Sequence, residues 1–593
     1  MSRSVPEDEP AEEPSQGVRA ERRQLAETPS PVSPAPLRAL AAGSGRTLPE
    51  GACLALHLAS LAAALVLFIA VTRHMWFHAD DFDFLVRRGL HGAELSIWTP
   101  HNEHWSTIPI LLWRALFSIY GMRTAVPYLV TLFVLHLALA FVLWKGMCQM
   151  GADPVIATLI AADFALFGAG GSATLLWEFQ IGFVGSLLLG WVFVLLVNHE
   201  GPLDRRDVFA AVASIGALMF SGVAVTMVVV GGLVVLVRRG WIAAVVAVAP
   251  AALVYGVWFA LAGRIGLQST GLSWQHLVRS IPGFTATGLV HSFDVMTGSR
   301  LISVVLALAL VGWIAGRPWR KRPNVAPALM GLAGAVIFFL DTAVVRANLG
   351  EHEATTQRYI YVAVALMLPA IGVAVSTLLP RHRIWRLAAL AVLVVVSIAN
   401  FGVYMSVRNG FSAVGLQTER QVIAAAHIAS TGPTIPGSHP IGNLNAAVFT
   451  LSALERFAHA GELPSGLRPR PFDVANAATE LQLGLTTTPV FSTSGAVMSP
   501  ASASMKVSGT ATGCQMATAD GAPGALSILV SSPTSLRLVI DAAGSMTAKL
   551  VLAGARATPR TFKLEPGTMW WDMGVSPSRV RLLVPAGATL ASC

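Results

Sequence analysis

Between residues 52 and 406 the sequence keeps returning to apolar runs of roughly 20 residues, the length that spans a hydrocarbon core. The first is CLALHLASLAAALVLFIAVT. Others follow near 125–147, 153–172, 180–198, 208–220, 222–237, 241–262, 301–315, 325–345, 359–379 and 387–406. That pattern predicts about eleven crossings. Such a chain must satisfy its backbone within helices, because lipid offers no hydrogen-bond partner. Composition agrees: 54% of the 593 residues are hydrophobic and 12% are charged. A soluble domain carries about twice that charged share. Mean hydropathy is +0.62. A soluble enzyme is excluded, and so is overall disorder, which requires low hydrophobicity. The expected fold class is an α-helical polytopic membrane protein with an extracytoplasmic mixed or β-sandwich domain at its C-terminal end.

Charge placement sets the expected topology. The stretch 208–237 is too long for one crossing, and Ser221-Gly222 lets it break into a hairpin. With a hairpin, Arg205-Arg206, Arg238-Arg239, the RPWRKR run at 317–322 and the RHRIWR run at 381–386 share one side. That is the cytoplasmic side by the positive-inside rule, and a single helix would break the pattern. The Pro-, Ser-, Glu- and Arg-rich stretch 1–48 reads as a disordered cytoplasmic tail. It is not a signal peptide, since the first apolar run begins only near residue 52. Residues 74–124, 173–179, 263–300, 346–358 and everything after 407 then lie outside a plasma (inner) membrane. The net charge of +9 reflects cytoplasmic arginines. No basic stripe interleaved with aromatics points to nucleic acid.

Four regions are expected: a tail at 1–48, a transmembrane domain at 49–406, a mixed helical segment at 407–513 and a small sandwich at 514–593. Helices are expected at 412–429 and 443–460. From about 514 short alternating runs such as LSILVS, SLRLVID and RVRLLVP read as strands. Cys514 and Cys593 bracket the sandwich. A disulfide there would close a loop of about 80 residues, worth roughly 4–5 kcal/mol, and would persist only outside the cytoplasm. Two free thiols are the alternative.

The first outer loop carries the densest chemistry: His78-Ala79-Asp80-Asp81-Phe82-Asp83, then His101-Asn102-Glu103-His104. Each cluster precedes an amphipathic helix pattern, with Phe82, Leu85, Val86 and Leu90 on one face and Trp105, Ile108, Leu112, Leu116 and Ile119 on the other helix's face. Two interfacial helices would hold both clusters at the membrane surface. A carboxylate at a hydrocarbon boundary has its pKa raised and can take a proton from a hydroxyl. A helix cap needs one carboxylate, and here are three, so Asp80 or Asp81 is the candidate base. Asp83 reads as a solvated surface residue. The pair could also hold a divalent cation such as Mg²⁺ or Ca²⁺. Glu103 and His104 offer a second base or a substrate contact, against the plainer reading of a second cap.

The loop at 346–358 brings Arg358 to the mouth of a helix beside Tyr359. An arginine there could grip a phosphate through its planar fork, or simply snorkel to the interface. Arg346 is a second phosphate candidate, with Asp341 as its expected ion-pair partner. His352 and Tyr359 are candidate substrate contacts. So are Glu178 and Gln180, at the outer end of a helical hairpin. Asp163, His57 and His136 lie inside spans and need partners, most simply on neighbouring helices. No zinc spacing, P-loop, dinucleotide fingerprint or nucleophile elbow is present.

A first uncleaved helix, a long outer loop with His78-Ala79-Asp80-Asp81, many spans and an outer C-terminal sandwich together resemble the GT-C fold of integral membrane glycosyltransferases. That superfamily includes protein O-mannosyltransferases, aminoarabinose transferases and actinobacterial arabinosyltransferases. The resemblance covers roughly 50–406. It implies a polyprenyl-phosphate sugar donor entering from the bilayer. It also implies an acidic base in the first outer loop, here Asp80 or Asp81, and attack on the anomeric carbon with inversion. The acceptor would be a hydroxyl of an envelope glycan, lipid or protein. Arg358 as phosphate clamp follows from charge and depth. Asp-Asp replaces the Asp-Glu of some members, which leaves the subfamily and the sugar open. The competing class is a transporter or flippase, which should concentrate ionisable groups at mid-membrane rather than at the outer surface. A membrane-anchored glycan-binding protein is the third, with Trp570-Trp571 as a stacking platform or as sandwich core.

Overall fold

The computed structural model describes residues 50–90, 94–170, 173–267, 274–316, 323–379, 383–431, 449–466, 468–494, 496–509, 514–574 and 578–592. The tail, the RPWRKR run and Cys593 lie outside the described residues. In chain order the helices are α1 (Glu50–Thr72), α2 (Thr107–Tyr120), α3 (Val126–Gln149), α4 (Pro154–Phe167) and α5 (Ile181–Val197). Then come α6 (Arg205–Phe220), α7 (Val223–Arg239), α8 (Trp241–Leu261), α9 (Trp274–Thr297) and α10 (Arg300–Ala315). The last are α11 (Ala326–Arg346), α12 (Gln357–Leu378), α13 (Arg383–Thr431), α14 (Leu451–His459) and α15 (Pro471–Gln482).

Seven of these, α1, α3, α5, α8, α11, α12 and α13, are long and apolar enough to cross a bilayer, making a multi-pass membrane protein. An eighth span arises if α9 and α10, bent by 113° at their junction, count as one. Among the described residues, length and hydropathy alone thus support seven or eight of the eleven expected crossings. The remaining runs form α4, α6, α7 and α10, of 14, 16, 17 and 16 residues. At 1.5 Å per residue these reach only about 21–26 Å, short of a hydrocarbon core of about 30 Å.

The hairpin at 208–237 is present. Asp204 caps α6 by accepting from the Arg206 N–H at 2.7 Å, and Asp207 completes the capping box. Arg239 at the end of α7 returns to pair with Asp207 at 2.6 Å, and Arg238 pairs with Glu200 at 3.2 Å. The four arginines of this hairpin therefore share one end. The turn at Ser221-Gly222 reaches the other end and packs on His104. A Cβ on Gly222 would meet His104 Nδ1 at 2.9 Å, so the close approach requires glycine.

Two of the intramembrane ionisable groups find hydrogen-bond partners on neighbouring helices, while His57 Nε2 has none among the described residues. His136 meets the Tyr361 hydroxyl at 2.6 Å, and Asp163 on α4 accepts from Ser397 and Asn400 of α13. His57 stacks on Trp144 with ring centroids 5.3 Å apart.

Three other outer segments differ from expectation. The first amphipathic helix is a single π-helical turn over Asp83–Arg87, and Leu90 is exposed. Helix α2 forms, but it buries Ile110, Trp113 and Phe117, while Ile119 is exposed and Ile108, Leu112 and Leu116 are only partly buried. This helix is apolar nearly all round, so periodicity could not choose its face. The outer stretch 263–300 contains α9, which packs against α11, α12 and the 351–355 turn.

The spans and the C-terminal portion are joined by α13, one unbroken helix of 49 residues, about 74 Å long. It merges the expected span at 387–406 with the expected helix at 412–429. Its outer part packs on α14 and α15. Two antiparallel six-stranded sheets follow. Their strands are β1 (Leu483–Thr486), β2 (Ala496–Pro500), β3 (Met505–Gly509), β4 (Gln515–Ala519), β5 (Gly524–Val530) and β6 (Thr534–Ile540). The rest are β7 (Gly544–Leu552), β8 (Ala555–Arg556), β9 (Arg560–Leu564), β10 (Gly567–Met573), β11 (Ser578–Val584) and β12 (Thr589–Ser592). One sheet has the order β1-β10-β6-β12-β4-β3. The other runs β2-β5-β11-β7-β8, with β9 also on β7. Strand β11 alternates buried and exposed along its whole length, as a half-buried strand must. The sheets begin at Leu483, upstream of residue 514, because Ser, Thr and Pro interrupt the alternation in β1 to β3.

Candidate active site

The acidic loop is a tight turn. The His78 N–H donates to Asp81 Oδ2 at 2.8 Å, and the Asp81 N–H donates back to the His78 carbonyl at 3.2 Å. Ala79 sits at φ +51°, in the left-handed region. That conformation costs an L-residue about 1–2 kcal/mol, so neighbouring contacts must impose it. They are substantial: Phe77 and Phe82 are fully buried, the Trp76 indole donates to the Met122 carbonyl, and Phe82 stacks on Phe449.

The turn sends the two aspartates to different places. Asp80 lines a cavity at the mouth of the helices. Asp81 is fully buried beside it, where its Oδ1 accepts the Trp177 indole N–H at 3.1 Å. Burial first, and then the neighbouring Glu178 carboxyl, push the Asp81 pKa well above the usual carboxylate range.

A second turn faces the first. His101 and His104 exchange backbone hydrogen bonds at 3.0 and 2.9 Å, with Asn102 at φ +50°. Arg88 fastens this turn by donating to the Thr99 and Pro100 carbonyls at 2.7 and 2.8 Å and to Asp83 at 2.7 Å. Asp83 also contacts His101 Nδ1 at 3.0 Å. Its expected place on the solvated surface is therefore corrected: it ties the two turns together. Burial opposes its ionisation, but His101 and Arg88 outweigh that and hold its pKa at about 2.

Arg346 pairs with Glu103, 243 positions away in sequence, rather than with Asp341, which is exposed. Burial opposes ionisation of Glu103, but His104 and Arg346 keep its pKa below the ordinary glutamate value. Burial lowers His104 to about 4, so its imidazole is neutral at physiological pH. Arg346 Nε and His104 Nδ1 are buried without hydrogen-bond partners among the described residues.

Six sequence candidates meet in this cavity: Asp80, His104, Gln180, Arg346, Arg358 and Tyr359. Phe84, Phe179, Phe183 and Phe220 form its apolar walls, and Asn102 joins the lining. Arg358 lies 5.1 Å over the Tyr359 ring and 3.5 Å from Glu353. Glu178 sits behind the wall with Asp81, fully buried. Glu103 does not line the cavity and touches it through Arg346 and His104. His352 is exposed, with its ring near Thr355, and does not line the cavity. The cavity has a volume of about 50 Å³, room for a few waters.

Asp80 and Asp81 diverge, and no group of three ligand atoms converges on them among the described residues. The one such group found there is His199, Asp204 and Asp207 at the opposite end of the hairpin, where Asp207 is already paired with Arg239. The Cys514–Cys593 pairing involves a residue outside the described ones. Trp571 is fully buried, which removes it as a stacking platform and makes it sandwich core, while Trp570 is only partly buried.

Sequence reasoning missed Arg88, Trp177 and the phenylalanine walls. Two of the three partners of Arg88 are carbonyls 11 and 12 residues on, which leave no side-chain signal. The sequence also gave no sign of a second cavity, of about 530 Å³, between α4, α10, α12 and α13. Its lining is almost wholly apolar, including Ile160, Leu306, Leu310, Leu368 and Val396, with Asp163 as its one ionisable side chain.

Fold and site together define a multi-pass membrane protein with a C-terminal β-sheet region and a cavity lined by one aspartate and two arginines. No protein-family model and no curated protein matches the sequence. Among solved structures the chain is similar to ArnT from Cupriavidus metallidurans, in a crystal structure bound to undecaprenyl phosphate. The likeness has a TM-score of 0.42 and 14% identity, over 72% of this chain and 92% of that one.

Proposed function

We propose that this protein is an inverting membrane glycosyltransferase that moves a sugar from a polyprenyl-phosphate donor to an acceptor hydroxyl outside the cytoplasm. The observation that carries this reading is that Asp80, Arg346 and Arg358 line one cavity at the mouth of the helices. A base and a phosphate clamp are the two elements such a transfer needs. Asp80 takes the proton of the acceptor hydroxyl as its oxygen attacks the anomeric carbon from the face opposite the phosphate. The bond from that carbon to the phosphate oxygen breaks, and polyprenyl phosphate leaves. Arg346 and Arg358 stabilise the charge gathering on the leaving phosphate. Neutral His104 and Gln180 can hydrogen-bond sugar hydroxyls without adding charge. A sugar phosphate exceeds the present cavity volume, so the lining must open for it to enter.

The apolar cavity beside α4 and α12 suits the hydrocarbon chain of such a donor. The acceptor would be an envelope glycan, lipid or protein. In this reading the tail faces the cytoplasm, the outer sheets face away from it, and the host is the inner membrane.

The test is reconstitution of the full chain in vesicles with labelled polyprenyl-phosphate sugars and an envelope extract as acceptor. Label should leave the lipid phosphate and appear on a water-stable glycoside. Label that crosses the bilayer while still lipid-linked would instead establish a flippase.

A further inference from the structure

Asp81 and Glu178 are two fully buried carboxyl groups that lie beside each other, with Trp177, the residue before Glu178, donating to Asp81 at 3.1 Å. Asp81 spends lone pairs on the His78 and Trp177 N–H groups. Glu178 Oε1 has no hydrogen-bond partner among the described residues. The one ion-pair partner within 4 Å among those residues is His78, with Nδ1 at 3.7 Å from Asp81. Burial lowers that histidine to about 4, so it is neutral and brings no positive charge. Two adjacent carboxylates without a cation cannot both be ionised in a buried site.

We propose that Asp81 and Glu178 share one proton and act together as a positioning pair that aims Asp80 into the cavity. The inference rests on the glycosyltransferase reading for the role of Asp80, but not for the shared proton. The mechanical link is short. Asp81 closes the 78–81 turn through the His78 N–H, and that turn carries Ala79 in its left-handed conformation. Trp177 and Glu178 hold Asp81 from the segment preceding α5. Gln180, two residues on, lines the cavity itself. The pair therefore clamps the first outer loop to the segment that forms the cavity's opposite wall. With both carboxyls ionised, the two segments would repel and Asp80 would lose its orientation.

The test combines infrared spectroscopy with isotope-labelled aspartate or glutamate on the full chain and transfer assays on Glu178→Gln and Glu178→Ala. The wild type at neutral pH should show the carbonyl stretch of a buried protonated carboxyl that shifts with the label and disappears in Glu178→Gln. A Gln amide can donate to Asp81 as the shared proton does, so Glu178→Gln should keep transfer within about threefold. Glu178→Ala should lose at least about tenfold. Absence of a label-sensitive band in the wild type would overturn the proposal, as would equal impairment of the two variants. If no donor supports transfer by the wild type, the glycosyltransferase reading fails, and the infrared band alone still decides the shared proton.

Discussion

Asp80 and Asp81 are adjacent in sequence and differ in setting: Asp80 lines the cavity, and Asp81 is buried against the Trp177 indole, whose N–H it accepts at 3.1 Å. The loop thus presents one carboxylate to a substrate and uses the other to hold its own shape.

Removing the second should therefore cost stability. Asp81→Ala leaves the buried His78 and Trp177 N–H groups unpaired, an expected loss of about 2–4 kcal/mol. Asp81→Asn keeps one acceptor oxygen, so it satisfies one of these two N–H groups and should cost about half as much. Thermal unfolding of the purified protein checks this; equal melting temperatures for the two variants would contradict it.

Asp83 predicts a pH dependence. Its folded pKa of about 2 lies below the ordinary value of 3.8, and its side chain is 13% exposed. A depressed carboxylate stabilises the fold above its unfolded pKa, and that contribution is lost as the pH falls through the folded one. About 2 kcal/mol should therefore disappear between roughly pH 4 and pH 2. Asp83→Asn should flatten the melting profile in that window and leave its slope elsewhere unchanged.

The two arginines should behave differently. Arg358 is 30% exposed and only loosely paired with Glu353, so Arg358→Ala should barely move the melting temperature. It should weaken retention of labelled polyprenyl phosphate by roughly tenfold to a hundredfold, the value of one charge-assisted contact. Arg346→Ala should do both, since it also strands the half-buried Glu103 carboxylate.

The β4–β12 ladder pairs Gln515 with Ser592, the sequence neighbours of Cys514 and Cys593. Mass spectrometry without reductant should find Cys514 bonded to Cys593. Two alkylatable thiols in protein isolated from intact cells would contradict both the bond and the outward placement of the sheets.

Much of the membrane architecture was legible because apolar length and arginine placement are local signals. The hairpin at Ser221-Gly222 followed from the parity of Arg205-Arg206 and Arg238-Arg239. Six cavity residues were legible as polar groups crowded at span ends. Other features depend on contacts that no window of sequence contains. The pairing of Arg346 with Glu103 spans 243 positions. The split between Asp80 and Asp81 rests on a left-handed alanine, a conformation its side chain does not advertise. Helix α9 carries Pro282 and several polar residues, and its pattern alone looked like a loop. The face of α2 was misjudged because both of its faces are apolar.

The central claim is that Asp80 is the base. The most direct measurement is the turnover of Asp80→Asn in the reconstituted transfer assay, alongside its retention of labelled polyprenyl phosphate. Turnover should fall by at least about a hundredfold, the usual contribution of a general base, while retention of the lipid phosphate stays within about threefold of wild type. Turnover close to wild type in Asp80→Asn would contradict the account.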